Sequence, residues 1–388
     1  MLPNRQPTAE LPEPAPDALA HSRRAAEHIR AAIQAAGGAV PFGRYMELAL
    51  YAPGLGYYSA GARKFGAAGD FVTAPELSPL FSRCLARQCA EVLEAVPGGS
   101  ILELGAGSGV MAADILLELQ ALGRLPAEYL ILEVSADLRE RQRQTLIAKA
   151  TALASRVRWL DALPGSFEGV ILGNEVLDAL PVERFLRRPG GFDEYCVRVE
   201  AEGFAWTTRP AGEQLAAVLS AFETTLPAPL QPGYVSEINP GLIPLVSSLA
   251  TTLGRGALLL LDYGYPRAAY YHPERSMGTL MCHYRQRAHA DPFLYPGLQD
   301  ITAHVDFTAV AEAGTASGLE LAGYTTQAHF LMALGLAQLA GTDMRAVQQV
   351  KLLSLPEEMG ERFKAIGFTR GIEAPLRGFG LLDLSRQL

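Results

Sequence analysis

From residue 99 onward, short apolar runs alternate with longer stretches of helical spacing. The runs are ILEL (101–104), YLILEV (129–134), VRWL (157–160), GVILGN (169–174) and ALLLLDYG (257–264). Each is apolar at successive positions rather than at every second one, as strands buried on both faces require. Helical spacing follows the first run to about residue 122 and recurs over 136–151 and 241–252. Strand–helix alternation of this kind predicts a parallel sheet covered by helices on both faces.

The rest of the chain departs from that rhythm. Ile29 and Ile33 lie one turn apart in a predicted helix over 18–36, which Gly37-Gly38 stops. A short helix is expected over 43–51, and another over 77–96. Between them, YAPGLGYYSAGARKFGAAGDFVTAPELS is rich in Gly, Ala and aromatic residues and shows no period. A stretch of that length inside a compact protein reads as a functional loop. The interruption at about 182–235 contains RFLRRPGGFDEYCVRV, a hairpin pattern with Gly190-Gly191 at its turn. Residues 318–388 supply further strands and helices. The expected layout is a Pro-rich disordered tail over 1–17, a helical and loop segment over 18–98, and a main domain over 99–388. Insertions are expected in that domain at about 182–235 and 266–305.

Composition narrows the function. Hydrophobic residues make up 49% of the 388 positions and charged ones 19%, enough for a sizeable core. The net charge of −8 argues against broad capture of nucleic acid or anionic membrane. No apolar run approaches the ~20 residues of a membrane span, so no membrane insertion is expected. Cys84, Cys89, Cys196 and Cys282 lack CxxC spacing, which points to a reducing, cytoplasmic setting and no zinc site. His283, His289 and His304 also lack metal-ligand spacing. No G-x-S-x-G elbow is present, so a serine hydrolase is disfavoured.

The chemistry concentrates at the ends of the runs. Glu103-Leu104-Gly105-Ala106-Gly107-Ser108-Gly109 sits where a strand yields to a helix. Glycines there allow a tight turn and close approach of a ligand to backbone amides. A dinucleotide site wants G-x-G-x-x-G, with its pyrophosphate at the helix N-terminus. Here the spacing is G-x-G-x-G, and Glu103 would repel a pyrophosphate while favouring an ammonium or sulfonium. S-adenosylmethionine has both cations and no phosphate. Glu133, ending the second run, is placed to accept ribose hydroxyls, and Asp161, after VRWL, to reach the adenine amino group. Three acids at consecutive strand ends favour an S-adenosylmethionine site over separate turn caps.

The fourth run ends in Asn174 and Glu175, with Asp178 close behind. The fourth strand of such a sheet ends beside the methyl donor, so all three are candidate catalytic residues and Asn174 a candidate cofactor contact. One structural reading makes Asn174 the N-cap of a helix over VLDAL, with Asp178 favoured near its start. That leaves Glu175 without a structural role. A Glu175–Asp178 pair can instead orient a guanidinium through bidentate hydrogen bonds. Asp262-Tyr263-Gly264 reaches the same sheet edge. In DITAHVDFTAV (300–310), Asp306 reads as a helix cap.

Several blocks in this order resemble the MidA-type S-adenosylmethionine-dependent methyltransferases, bacterial relatives of the mitochondrial arginine methyltransferase that assists respiratory complex I assembly. They are YMELALYAPGLGYY (45–58), GDFVTAPELSPLF (69–81), ELGAGSG (103–109), NEVLDALPVERF (174–185), LLLDYGY (259–265) and GTLMCHYRQRAHADPFLYPGLQDITAHVDF (278–307). The resemblance runs from about residue 22 to the C-terminus. It implies a class I methyltransferase fold, Rossmann-like, with an N-terminal helical extension and inserted β/α elements. It also implies S-adenosylmethionine held by the glycine loop and Glu133, and a loop with Gly69, Asp70, Phe71, Thr73, Pro75 and Glu76 folding over cofactor and acceptor. Ala74 stands where the family often has Ser, and Gln286 where it often has His. The expected reaction is methylation of a protein side-chain nitrogen, arginine first, with a complex I subunit as the implied client. Methylation of a small molecule is the alternative reaction; docking to a client protein without transfer is the non-enzymatic one.

Overall fold

The computed structural model describes residues 11–59, 73–201, 203–373 and 375–388. Two compact units divide them, each assembled from separated segments. One gathers 11–59, 179–240 and 271–303; the other gathers 73–178, 241–270 and 304–388.

The second unit is built on one sheet. Its strands are β1 (Ser100–Leu104), β2 (Tyr129–Leu132), β3 (Val157–Leu160), β4 (Phe167–Asn174), β5 (Leu253–Tyr265), β6 (Glu320–Thr326) and β7 (Phe363–Arg370). They lie in the order β3-β2-β1-β4-β5-β7-β6. The first five run parallel, and β7 is antiparallel to both its neighbours. The short strand Val305–Asp306 pairs with the end of β5. Strand order reverses at β1, the switch point where sheets of this kind bind ligands beyond their carboxyl ends.

The apolar runs become strands because helices cover them. Ala257 to Leu261 of β5 are buried without a gap. Helices Pro79–Ala95 and Val110–Ala121 bring Phe81, Leu85, Val92, Ile115 and Leu116 into one core with Ile101, Ile131, Val170, Leu172 and Leu259. Each such side chain contributes about 1.5–3 kcal/mol on burial. Ser78 starts the first of these helices: its Oγ accepts the Leu80 N–H at 3.1 Å, and Pro79 fills the first helical position. Residues 73–98 of the N-terminal segment thus belong with the sheet.

The first unit carries helices Pro16–Ala35 and Phe42–Tyr51, with Ile29, Ile33, Phe42, Tyr45 and Met46 in its core. Of the tail, residues 1–10 lie outside the described residues, residues 11–15 are irregular, and Pro16 already opens a helix. The hairpin expected at Gly190-Gly191 is present, joining Glu183–Arg188 to Gly191–Glu200 with Arg188 paired to Gly191. That hairpin belongs to a five-stranded sheet, and a separate three-stranded sheet is made of 281–284, 287–289 and 300–302.

Candidate functional site

Strand register lines up the site. Leu104 pairs with Leu132, Leu132 with Leu160, Leu104 with Gly173, and Asn174 with Leu261. The next residues, Gly105, Glu133, Asp161, Asn174 and Asp262, therefore share one edge of the sheet.

The glycine loop occupies the middle of that edge. Gly105, Gly107 and Gly109 have φ of 57°, 54° and 84°, the left-handed region that glycine enters most easily. Gly109 also has no room for a side chain, since a Cβ would lie 2.9 Å from the Cα of Gln142. Ala106 is buried beneath the loop. Gln142, on helix Ala136–Ala150, ties the surroundings together. Its Nε2 donates to the Gly107 carbonyl at 3.1 Å and to Glu133 Oε2 at 3.2 Å, while its Oε1 accepts the Trp159 indole N–H at 2.7 Å. Spacing and composition do not single it out, because a glutamine in a polar helix looks like solvated surface.

The acids differ in setting. Glu133 is buried, and its Oε1 accepts the Ser135 N–H at 2.9 Å. Val134 beside it is 79% exposed, an apolar side chain open to solvent at the ligand edge. Asp161 pairs with Arg139 at 2.6 Å, and its side chain is 91% exposed. Glu103 is fully enclosed and accepts the Tyr129 hydroxyl at 2.7 Å. Burial pushes its carboxyl up to about 7; the Tyr129 bond pulls it down and Glu133 adds a smaller upward push.

At the end of β4 the expected helix does not form. Residues 175–180 make bends and turns, so Asn174 is the last residue of a strand and caps nothing. Its Nδ2 donates to Glu175 Oε1 at 3.0 Å. Its buried Oδ1 has no hydrogen-bond partner among the described residues. Glu175 has φ 53°, a strained conformation for a side chain of this kind. Asp178 is buried. The amides that Asn174 would have capped go to Asp262 instead: its Oδ2 accepts the N–H groups of Val176, Leu177 and Asp178 at 3.1, 2.8 and 3.3 Å. Asp262 is fully buried; that burial, and then Asp178, raise its carboxyl well above the usual range.

Gly69, Asp70 and Phe71 lie outside the described residues. Thr73 precedes the short helix Ala74–Leu77, where Pro75 is buried and Glu76 accepts the Ser108 hydroxyl. That bond joins this short helix to the glycine loop. Asp306 caps helix Phe307–Ala316 as expected, accepting the Thr308 and Ala309 N–H groups. His304 stacks on Tyr265, with ring planes 6° apart. His283 and His289 belong to the other unit.

The profile of a family of S-adenosyl-L-methionine-dependent methyltransferases matches residues 84–325, more than half of the chain. The chain belongs to this MidA-like family. A Burkholderia thailandensis protein whose crystal structure holds S-adenosyl-homocysteine is 49% identical. The match covers 98% of this chain and 100% of that one, with a TM-score of 0.93. A native crystal structure from the same organism matches with 47% identity and a TM-score of 0.91 over the same shares. The mouse protein arginine methyltransferase NDUFAF7, mitochondrial, is 29% identical, over 84% of this chain and 80% of its own length. Its Caenorhabditis elegans homologue is 27% identical, over 84% and 82%. This methyltransferase thus has the class I fold and S-adenosyl-L-methionine as its cofactor.

Proposed function

We propose that this methyltransferase modifies a side-chain nitrogen of a protein, with arginine as the acceptor and a respiratory complex I subunit as the client. The observation that carries this reading is the carboxylate pair Glu175 and Asp178, held in a turn just past β4. The arginine methyltransferases among the relatives support it.

The residues at the sheet edge fit the cofactor. The buried Asn174 Oδ1 lacks a donor, and an ammonium group supplies one. Glu133 offers carboxylate oxygens for the ribose hydroxyls, and exposed Val134 offers an apolar face for adenine, with Asp161 at the amino group. Bound there, S-adenosyl-L-methionine supplies an electrophilic methyl group on a sulfonium.

The chain's own part in the reaction is alignment. Glu175 and Asp178 hold two guanidinium nitrogens and draw positive charge toward them. The third nitrogen keeps its lone pair available along the line of displacement. That nitrogen becomes acidic only once it is alkylated, so its proton leaves afterwards and no strong base is needed before transfer.

Labelled methyl transfer into cell extract tests the reading. Label recovered as methylarginine in protein supports it. Label confined to small metabolites would replace it with a small-molecule reaction, and cofactor binding without transfer would leave a docking role. Glu175→Gln is expected to slow transfer about a hundredfold, to a rate still measurable, with affinity for S-adenosyl-homocysteine within about threefold of wild type, a shift of ~0.7 kcal/mol.

A further inference from the structure

We propose that Asp262 is the positioning residue of the acceptor site, fixing the 175–178 turn and thereby aiming Glu175 and Asp178. The inference rests on the reading that those two carboxylates face the acceptor.

Four consecutive amides are held by two consecutive residues of β5. The Leu261 carbonyl accepts the Glu175 N–H at 2.9 Å, and Asp262 Oδ2 accepts the next three. Asp262 Oδ1 is itself fixed by the Tyr263 N–H at 2.9 Å. Successive amides converging on one anion form the nest that turns build around charged oxygens. Here the accepting oxygen belongs to the protein, and it satisfies amides of 176–178 that a helix starting after Asn174 would itself leave without a partner. The left-handed conformation of Glu175 persists because its neighbours are pinned on both sides.

The choice of side chain is informative. Asp262 sits fully buried and within the field of Asp178, a costly place for a carboxylate. A neutral amide could accept the three turn bonds at less cost, but its NH2 would then face the Tyr263 N–H. A carboxyl group takes bonds on both of its oxygens, Oδ2 from the turn and Oδ1 from Tyr263. Asp262 does not touch the acceptor; it acts through the turn.

Two measurements test the assignment. Hydrogen exchange read on peptides spanning 174–182 reports the turn. Asp262→Ala is expected to speed it about tenfold or more, while peptides from 167–173 keep their protection. Asp262→Asn retains a carbonyl acceptor and is expected to keep most of the protection, which separates loss of anchoring from loss of fold. The second measurement is a double-mutant cycle with Glu175→Gln, scored as total methyl label transferred in cell extract to any acceptor. Asp262→Ala alone should lower that rate about a hundredfold, with binding of S-adenosyl-homocysteine changed by less than about threefold. In the Glu175→Gln background it should cost less than about threefold more. Unchanged exchange, additive losses, or loss of S-adenosyl-homocysteine binding in step with the rate would each overturn the proposal. Label on an acceptor other than arginine would overturn the arginine reading and leave this cycle intact.

Discussion

Glu103 shows how one enclosed carboxyl couples the site to pH. Its ordinary value is 4.5, and burial raises it to about 7 in the folded protein. Between those values the folded state holds a proton that the unfolded chain has released, so stability falls as pH rises from 4.5 to 7 and levels off above. Glu103→Gln keeps an acceptor for the Tyr129 hydroxyl and removes the titration. Relative to wild type it is expected to gain up to about 3 kcal/mol between pH 4.5 and pH 8, read by chemical denaturation at both. Gly109 gives a steric counterpart. Gly109→Ala meets both a φ of 84° and the Gln142 backbone, so a loss of about 1–3 kcal/mol in stability is expected, with weakened binding of S-adenosyl-homocysteine by calorimetry. At this scale the sequence was unevenly legible. Glu133 and Asp161 could be placed because each follows an apolar run directly. Asp262 could not be given its role, since its partners lie 84 to 86 positions away and the role exists only once β5 pairs with β4. Asn174 misled for the same reason: local preference favoured a cap, and a distant carboxylate took the amides first.

Among the elements, helix Ala136–Ala150 does more than cover the sheet. Through Gln142 it grips the glycine loop, the acid after β2 and the indole on β3 at once. Gln142→Leu leaves the buried Glu133 carboxylate short of a bond, at about 1–3 kcal/mol, and also removes the bonds to the half-buried Gly107 carbonyl and Trp159 indole. Affinity for S-adenosyl-homocysteine is expected to fall about tenfold or more, ~1.4 kcal/mol, with strand content by circular dichroism unchanged. The strands themselves were readable, because continuous apolar runs admit few other fates in a chain that alternates this way. The end of the sheet was less so: β7 runs against its neighbours, and only its partners reveal that.

For the molecule as a whole, the net charge of −8 suits a basic client without dictating one. Transfer to an arginine-rich peptide is expected to slow several-fold between about 50 and 300 mM salt, with most of the change in KM. Binding of S-adenosyl-homocysteine should barely move, and equal salt sensitivity of both would argue against a charged docking step. The chain's path holds one more consequence. It leaves the sheet after β5 at residue 270 and returns at 304, beside its point of departure: Gly264 pairs with Val305, and Arg267 bonds Asp306 at 3.1 Å. The excursion is thus a loop whose mouth the sheet itself sews shut. Closing a loop costs entropy that grows only with the logarithm of its length. A few residues gained or lost within that excursion therefore change the closure cost by little, and the strand ends that carry the chemistry stay where the sheet holds them.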